Sequence, residues 1–351
     1  MEELRSALRN WYLEHKRDLP WREAPTPYHI WLSEIILQQT RVAQGLEYYH
    51  RFTEEFPTVQ DLASAEEDRV LRIWQGLGYY NRARNLHAAA KQAVHEFNGH
   101  FPESYEGLLK LKGVGAYTAA AIASIAFQLP RAAMDGNVIR VIARLDGITD
   151  DVGKASTQKQ IQARADEMLN TLHPGDHNQA MMELGATVCT PKTPNCEACP
   201  VQFACTAYRQ DLQRELPRKE KKVKRRSRYL HYMVPTLAEE TLLEQRGTND
   251  IWASLYQFPM IETSDDEELQ LSQIEKRIGS DDIELVRVRK AAKHVLSHQD
   301  LHATFYHVKV SEWNSPEGNI VALEELSTFA LPRLIDRYLE NYAVIDGKKR
   351  H

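Results

Sequence analysis

The chain has 351 residues, an apolar share of 42% and a formal net charge of −5, long enough for two domains, each burying a sizeable core. No run of about 18 apolar residues occurs, which argues against a membrane-spanning helix. The first ten residues mix Glu and Arg without an apolar signal core, so export is not expected and a cytoplasmic, nucleoid-associated location is the default.

Residues 1 to about 216 read as mostly helical. Ile30, Trp31, Ile35 and Leu37, and then Leu62, Val70 and Ile73, recur at helical spacing. Pro57, Gly99 and Pro130 divide the stretch into short helices. Trp21-Arg22 comes early, followed by Trp31-Leu32-Ser33-Glu34-Ile35-Ile36-Leu37-Gln38-Gln39-Thr40, where Glu34 stands among apolar neighbours. A single Glu on a helix is usually a surface residue. Gly76-Leu77-Gly78-Tyr79-Tyr80 is a glycine-rich turn with paired tyrosines, for which core packing is an open reading.

Leu111-Lys112-Gly113-Val114-Gly115-Ala116-Tyr117-Thr118-Ala119 has two glycines one residue apart, which permit a tight turn with positive φ values. The backbone N–H groups at the start of the next helix then suit a phosphate, whatever the base attached to it; an ordinary helix-to-helix turn fits as well. The helix expected from Ala116 to Phe127 is built of small residues, slim enough for the inside of a bundle. Twenty residues past Gly115 stands Asp135, in Met134-Asp135-Gly136-Asn137-Val138-Ile139-Arg140, where a plain helix N-cap also explains an aspartate. Gln179 lies in Asn178-Gln179-Ala180-Met181-Met182-Glu183-Leu184-Gly185.

All four cysteines, Cys189, Cys196, Cys199 and Cys205, fall within seventeen residues as C-x6-C-x2-C-x5-C. Disulfides do not suit a reducing compartment, which leaves a structural zinc or an iron–sulfur cluster. Only Cys196 and Cys199 form a close pair, and this spacing favours one compact loop around a cofactor larger than a tetrahedral zinc.

From Arg218 to Arg228 eight Lys or Arg face one Glu, a local +7 that leaves −12 for everything else. Residues 217–228 therefore read as a basic linker, either a solvated connector or one with added DNA-backbone contacts. Beyond it, Tyr229 to Leu237, Leu242 to Arg246 and Ala303 to Val310 read as strands, and the stretches near Glu268 to Ile278 and Ala330 to Tyr342 as helices. A smaller α+β domain over 229–351 follows.

Together these motifs resemble the MutY family of adenine DNA glycosylases, within the helix-hairpin-helix, iron–sulfur superfamily that also contains endonuclease III; the likeness runs from Trp11 to about Tyr342. It implies a multidomain fold: an all-α helix-hairpin-helix domain over 1–216 with a 4Fe–4S loop, and a C-terminal Nudix-like domain. It implies a monofunctional enzyme that flips adenine out of duplex DNA, opposite 8-oxoguanine or guanine, and hydrolyses its glycosidic bond. Glu34 is then the acid and base, and Asp135 stabilises the oxocarbenium ion, with Tyr117 and Asn137 beside it. Tyr117 stands where bifunctional relatives carry a Schiff-base lysine.

Trp21, Arg22, Leu37 and Gln179 match the adenine pocket, and Gln38, Gln39 and Tyr79 match residues that wedge into the base stack. Gly113, Val114 and Gly115 match the phosphate-binding hairpin. The four cysteines match the cluster ligands, beside Lys192 and Arg209. Ser254-Leu255-Tyr256-Gln257-Phe258-Pro259 matches a strand-end motif of the second domain. Ser297 and His298, in Leu296-Ser297-His298, match its 8-oxoguanine-reading loop, with Leu where Phe is usual. The acids near Asp265 to Glu268 lack the R-E-x-x-E-E pattern of a Nudix hydrolase. A monomer acting on mispaired duplex DNA is expected. A bifunctional pyrimidine glycosylase–lyase and a catalytically silent DNA sensor are the competing readings, opposed by Tyr117 and by the intact pair Glu34 and Asp135 respectively.

Overall fold

The computed structural model describes residues 1–220, 225–314 and 316–342. The chain divides into two compact units, one comprising Met1–Ser64 with Asn85–Lys221, the other Ala65–Arg84 with Lys222–His351. The short segment Ala65–Arg84 thus groups with the C-terminal part of the sequence. Among the described residues no helix is long and apolar enough to cross a membrane.

The first unit is helical. The helix Pro27–Leu37 starts at Thr26, whose side chain accepts the His29 N–H, and it has Pro27 in its first turn. Seven of its eleven residues are buried. The helix Ala116–Ala126 buries every residue from Thr118 to Ile125, and its small side chains let neighbouring helices come close. The helices Gly136–Leu145 and Pro174–Thr187 share a core with Leu4, Leu8 and Tyr12 from the first helix, Glu2–His15. Gly185 lies so near the helix Gly136–Leu145 that a Cβ there would meet the Asn137 Cβ at 2.5 Å.

The second unit is built on a sheet of β1 (Arg226–Leu237), β2 (Glu240–Gln245), β3 (Tyr256–Gln257), β4 (Met260–Thr263), β5 (Ile283–Lys290), β6 (His294–Val295), β7 (Gln299–Val310) and β8 (Asn319–Ala322). Its path runs β3-β2-β1-β7-β5, with β4 pairing β1, β6 pairing β7 and β8 pairing β2. The central pair β1–β7 is parallel, in register from Arg226 opposite Gln299 to Thr236 opposite Lys309. Alternation divides the side chains between two cores. Leu230, Tyr232, Val234, Leu301, Ala303 and Phe305 meet the helix Arg333–Tyr342, and Met233, Tyr306, Val308 and Val310 meet the helix Leu271–Ile278. Phe305 stacks on Tyr338 with ring centroids 3.6 Å apart.

The three expected strands lie in β1, β2 and β7, and the two expected helices are present. The pattern did not reveal β3 and β6, which are two residues each, β4 and β8, which are four each, or β5, whose side chains are mostly exposed. The basic run needs correction at its end. Residues 221–224 lie outside the described residues, but β1 begins at Arg226. Arg228 is buried, its charge offset by Asp250 and Glu262, and is not part of a solvated connector.

Candidate active site

A cleft of about 520 Å³ opens in the helical unit, in the range of small-molecule sites. Its walls carry Trp21, Arg22, Glu34, Leu37, Gln38, Gln39, Tyr117, Asp135, Asn137 and Gln179, residues drawn from five separate segments of the chain.

Glu34 is the one carboxylate on the largely apolar helix Pro27–Leu37 and is half-buried. Burial pushes its pKa up to about 7; the Tyr117 hydroxyl beside it pulls the other way, and the nearby charge of Asp135 adds to the rise. Tyr117 is itself held well above its ordinary value, by burial and then by the charges of Glu34 and Asp135, so it remains a donor. Its hydroxyl also lies 3.2 Å from the Met182 Sδ.

Asp135 is the N-cap of the helix Gly136–Leu145, so the capping reading and the site reading hold together. Its Oδ1 accepts the backbone N–H groups of Asn137 at 2.9 Å and Val138 at 2.8 Å, and its Oδ2 accepts the Asn137 side-chain amide at 2.7 Å. The Asn137 oxygen in turn accepts from Arg140 at 2.8 Å, and Arg140 also donates to the carbonyls of Gly185 and Cys189.

In the same cleft Arg22 donates to the Gln179 Oε1 at 3.1 Å and to Glu183 at 2.8 Å. Glu183 is almost fully buried and also accepts two bonds from the Arg17 guanidinium, at 2.6 and 3.0 Å. These arginines outweigh the burial and hold the Glu183 pKa below its ordinary value. Trp21, which also lines the cleft, lies edge-on to Tyr49 at 5.1 Å.

The expected hairpin is present, with one correction. Gly113 takes φ +76, and a Cβ there would meet the Asn85 Cβ at 2.6 Å. Gly115, however, takes φ −91 as the N-cap of the helix Ala116–Ala126 and offers no side chain to its first N–H groups. Val114 between them is buried, so the turn is pinned to the core while the glycines face outward.

The four cysteines line one cavity with Arg144. Arg144 is 1% exposed and donates to the Cys189 Sγ at 3.2 Å, to the carbonyls of Cys189, Thr190 and Pro191 on one side of the loop, and to that of Leu216. Burial raises the thiol of Cys199 to about 12 and also raises those of Cys196 and Cys205. The Cys205 Sγ lies 3.4 Å from the Arg144 carbonyl. Among the described residues no three His, Cys, Asp or Glu side chains stand close enough together for a single metal ion.

Tyr79, Ser297 and His298 lie in the other unit. Tyr79 has the left-handed φ of +49, is half-exposed, and has its hydroxyl 2.6 Å from the Ser297 Oγ. Ser297 and His298 are exposed at the turn between β6 and β7. That unit also holds a cavity of about 590 Å³, lined by the ion pair Arg246–Asp250, by Glu244, which Arg277 pairs from outside the lining, and by Glu317.

Sequence reasoning gave no role to Arg17, Glu183, Arg140 or Arg144. The signal was there for two of them: Asn137, Arg140 and Arg144 make a polar stripe at helical spacing on an otherwise apolar helix.

Residues 32–170 match the HhH-GPD superfamily base excision DNA repair protein family, and residues 231–341 match the NUDIX domain. Fold and site together therefore define a helical base-excision repair module joined to a Nudix-like one. An adenine DNA glycosylase of Mus musculus is 47% identical over 213 residues, 58% of this chain and 41% of the mouse protein. The matched part is thus about two fifths of the mammalian relative's length. An adenine DNA glycosylase of Buchnera aphidicola subsp. Baizongia pistaciae is 33% identical over 84% of this chain and 82% of its own. The solved structure of a thermostable thymine-DNA glycosylase has a TM-score of 0.54 at 26% identity, covering 60% of this chain and 98% of that one. The chain belongs to the adenine DNA glycosylase family.

Proposed function

We propose that this chain is a monofunctional adenine DNA glycosylase of base excision repair, hydrolysing the bond between adenine and deoxyribose opposite 8-oxoguanine or guanine. The observation that carries this reading is the pair of unlike carboxyl groups in one cleft. Burial raises Glu34 to about 7, whereas Asp135 accepts three N–H groups.

Adenine reaches such a cleft only when flipped out of the helix. Glu34, partly protonated near neutrality, gives its proton to N7 as the C1′–N9 bond breaks and its electron pair leaves with the base. The sugar is left as an oxocarbenium ion, which the Asp135 carboxylate stabilises electrostatically. Glu34, now ionised, takes a proton from water as its oxygen bonds to C1′, yielding an abasic site and regenerating the acid. Tyr117 has no amine with which to form a Schiff base, so no strand break follows.

Gln179 supplies selection. Arginine only donates, so Arg22 fixes Oε1 on its own side and leaves Nε2 toward the cleft. The N–H groups at the start of Ala116–Ala126 suit a DNA phosphate. Gln38, Gln39 and Tyr79 are assigned to the opened base stack, and Ser297 and His298 to the edge of 8-oxoguanine.

We assign a 4Fe–4S cluster to Cys189, Cys196, Cys199 and Cys205. Four thiols around one cavity and a buried guanidinium at one sulfur suit a thiolate-held group larger than one ion. Bound there, it cross-links the loop that carries Lys192 and leads to Arg209; it takes no part in the hydrolysis.

Release of free adenine is tested on duplexes holding one A:8-oxoguanine, A:G or A:T pair. Release from the first two, with strand breaks only after alkali, is the expected result. Breaks without alkali, or binding without release, would overturn the proposal.

A further inference from the structure

We propose that Arg228 is a positioning residue for the loop Leu296–Gln299, holding Ser297 and His298 in the posture that distinguishes the base opposite adenine. The inference rests on the reading that those two side chains meet that base. Its own observation is different: the last residue of the basic run is a buried anchor for this loop.

All five N–H groups of the Arg228 guanidinium are in use. Nε and Nη2 grip Glu262 at 2.8 and 2.6 Å, and Nη1 and Nη2 grip Asp250 at 2.8 and 2.7 Å. The remaining N–H, on Nη1, goes to the Gln299 Oε1 at 3.2 Å. Two bidentate carboxylates fix the plane of the guanidinium, and the fifth bond is therefore aimed rather than free. Asp250 is shared with Arg246 at 2.7 Å, which braces the arrangement from the residue just past β2.

Gln299 follows directly on His298. Its carbonyl closes the turn by accepting the Leu296 N–H at 2.8 Å. Beside it the His298 carbonyl accepts the Arg226 N–H at 3.0 Å, and Arg226 stands opposite Gln299 in the parallel pairing of β1 and β7. Lys293 reaches Asp300 at 3.4 Å on the following residue. Two exposed side chains therefore sit on a turn whose base is fixed by backbone pairing and by one charge-assisted bond from a buried cation. Two exposed residues on a loose turn would sample many orientations and lose discrimination. A lysine at 228 has one ammonium in place of a planar fork and cannot satisfy both carboxylates and Gln299.

The decisive measurement is the ratio of single-turnover adenine release from A:8-oxoguanine over A:G in the full-length protein, alongside Tm and amide exchange of residues 296–299. Gln299→Met removes the loop's acceptor and leaves both carboxylate pairs intact. We expect the ratio to fall about tenfold, in line with losing a hydrogen bond to a charged group, with faster amide exchange confined to the turn. Gln299→Glu keeps an acceptor and restores the ratio, and Arg228→Lys lowers it. If Ser297→Ala lowers the ratio but Gln299→Met leaves it unchanged, the inference fails and the reading role of the loop stands. If neither changes the ratio, both fall together. An equal loss on both duplexes with a lower Tm would also overturn it, because Arg228 would then be only structural.

Discussion

Arg22 donates from Nε to the Gln179 Oε1 at 3.1 Å, and that bond settles which end of the Gln179 amide faces the cleft. An unrestrained amide flips and reads donor and acceptor in either order. Locked, it presents a donor at Nε2 beside an oxygen with one lone pair to spare. Adenine matches that order along its N1 and N6 edge, and a 6-oxopurine opposes it.

Arg22→Met should therefore narrow the preference for adenine over hypoxanthine opposite 8-oxoguanine. Glu183 keeps its two bonds from Arg17, so the buried carboxylate is not stranded. A change of about tenfold is expected, the scale of one bidentate contact to a base. Single-turnover release of the two bases checks it. An unchanged ratio would mean that the amide orientation does not select.

Glu34 lies at about 7 in the fold against an ordinary 4.5. A carboxyl whose pKa is raised on folding favours the folded state while it is protonated. That contribution is full below about 4.5 and is lost as pH rises to about 7. It amounts to about 3 kcal/mol. Glu34→Gln, which cannot ionise, should consequently raise Tm at pH 8 relative to wild type, leave it nearly unchanged at pH 4.5, and abolish adenine release. Thermal melts at the two pH values check the sign, and equal Tm differences at both would count against a buried, titrating Glu34.

Gly185 has no room for a side chain, since a Cβ would stand 2.5 Å from the Asn137 Cβ and 3.0 Å from its Cα. Gly185→Ala should push back the start of the helix Gly136–Leu145, which carries Asp135 as its cap. Overpacking of this kind costs about 1–3 kcal/mol. Adenine release should fall further than that loss of stability accounts for, because the carboxylate moves with its cap. Denaturant melts and release rates taken below the melting transition separate the two effects; rates matching wild type there would show that Asp135 keeps its place.

The sequence alone determined much of what is local. Helical periodicity marked Pro27–Leu37, the paired glycines marked the turn at Gly113, and period-2 alternation marked β1 and β7. Each of these features depends on residues within a few positions of one another, so spacing is enough to reveal it. The resemblance supplied the names of the cleft residues, and ten of them do line one cleft.

Tertiary structure decided what depends on distant chain segments. The pKa of Glu34 is set first by its burial in the fold and then by Tyr117 and Asp135, over eighty residues away. Arg228 read as one more charge in a basic run until Asp250, Glu262 and Gln299 closed around it. Tyr79 and Ser297, 218 residues apart, share a hydrogen bond within one unit although the sequence gave them to two domains. Burial and charge pairing are properties of a folded neighbourhood, and a sequence read position by position contains the partners without their proximity.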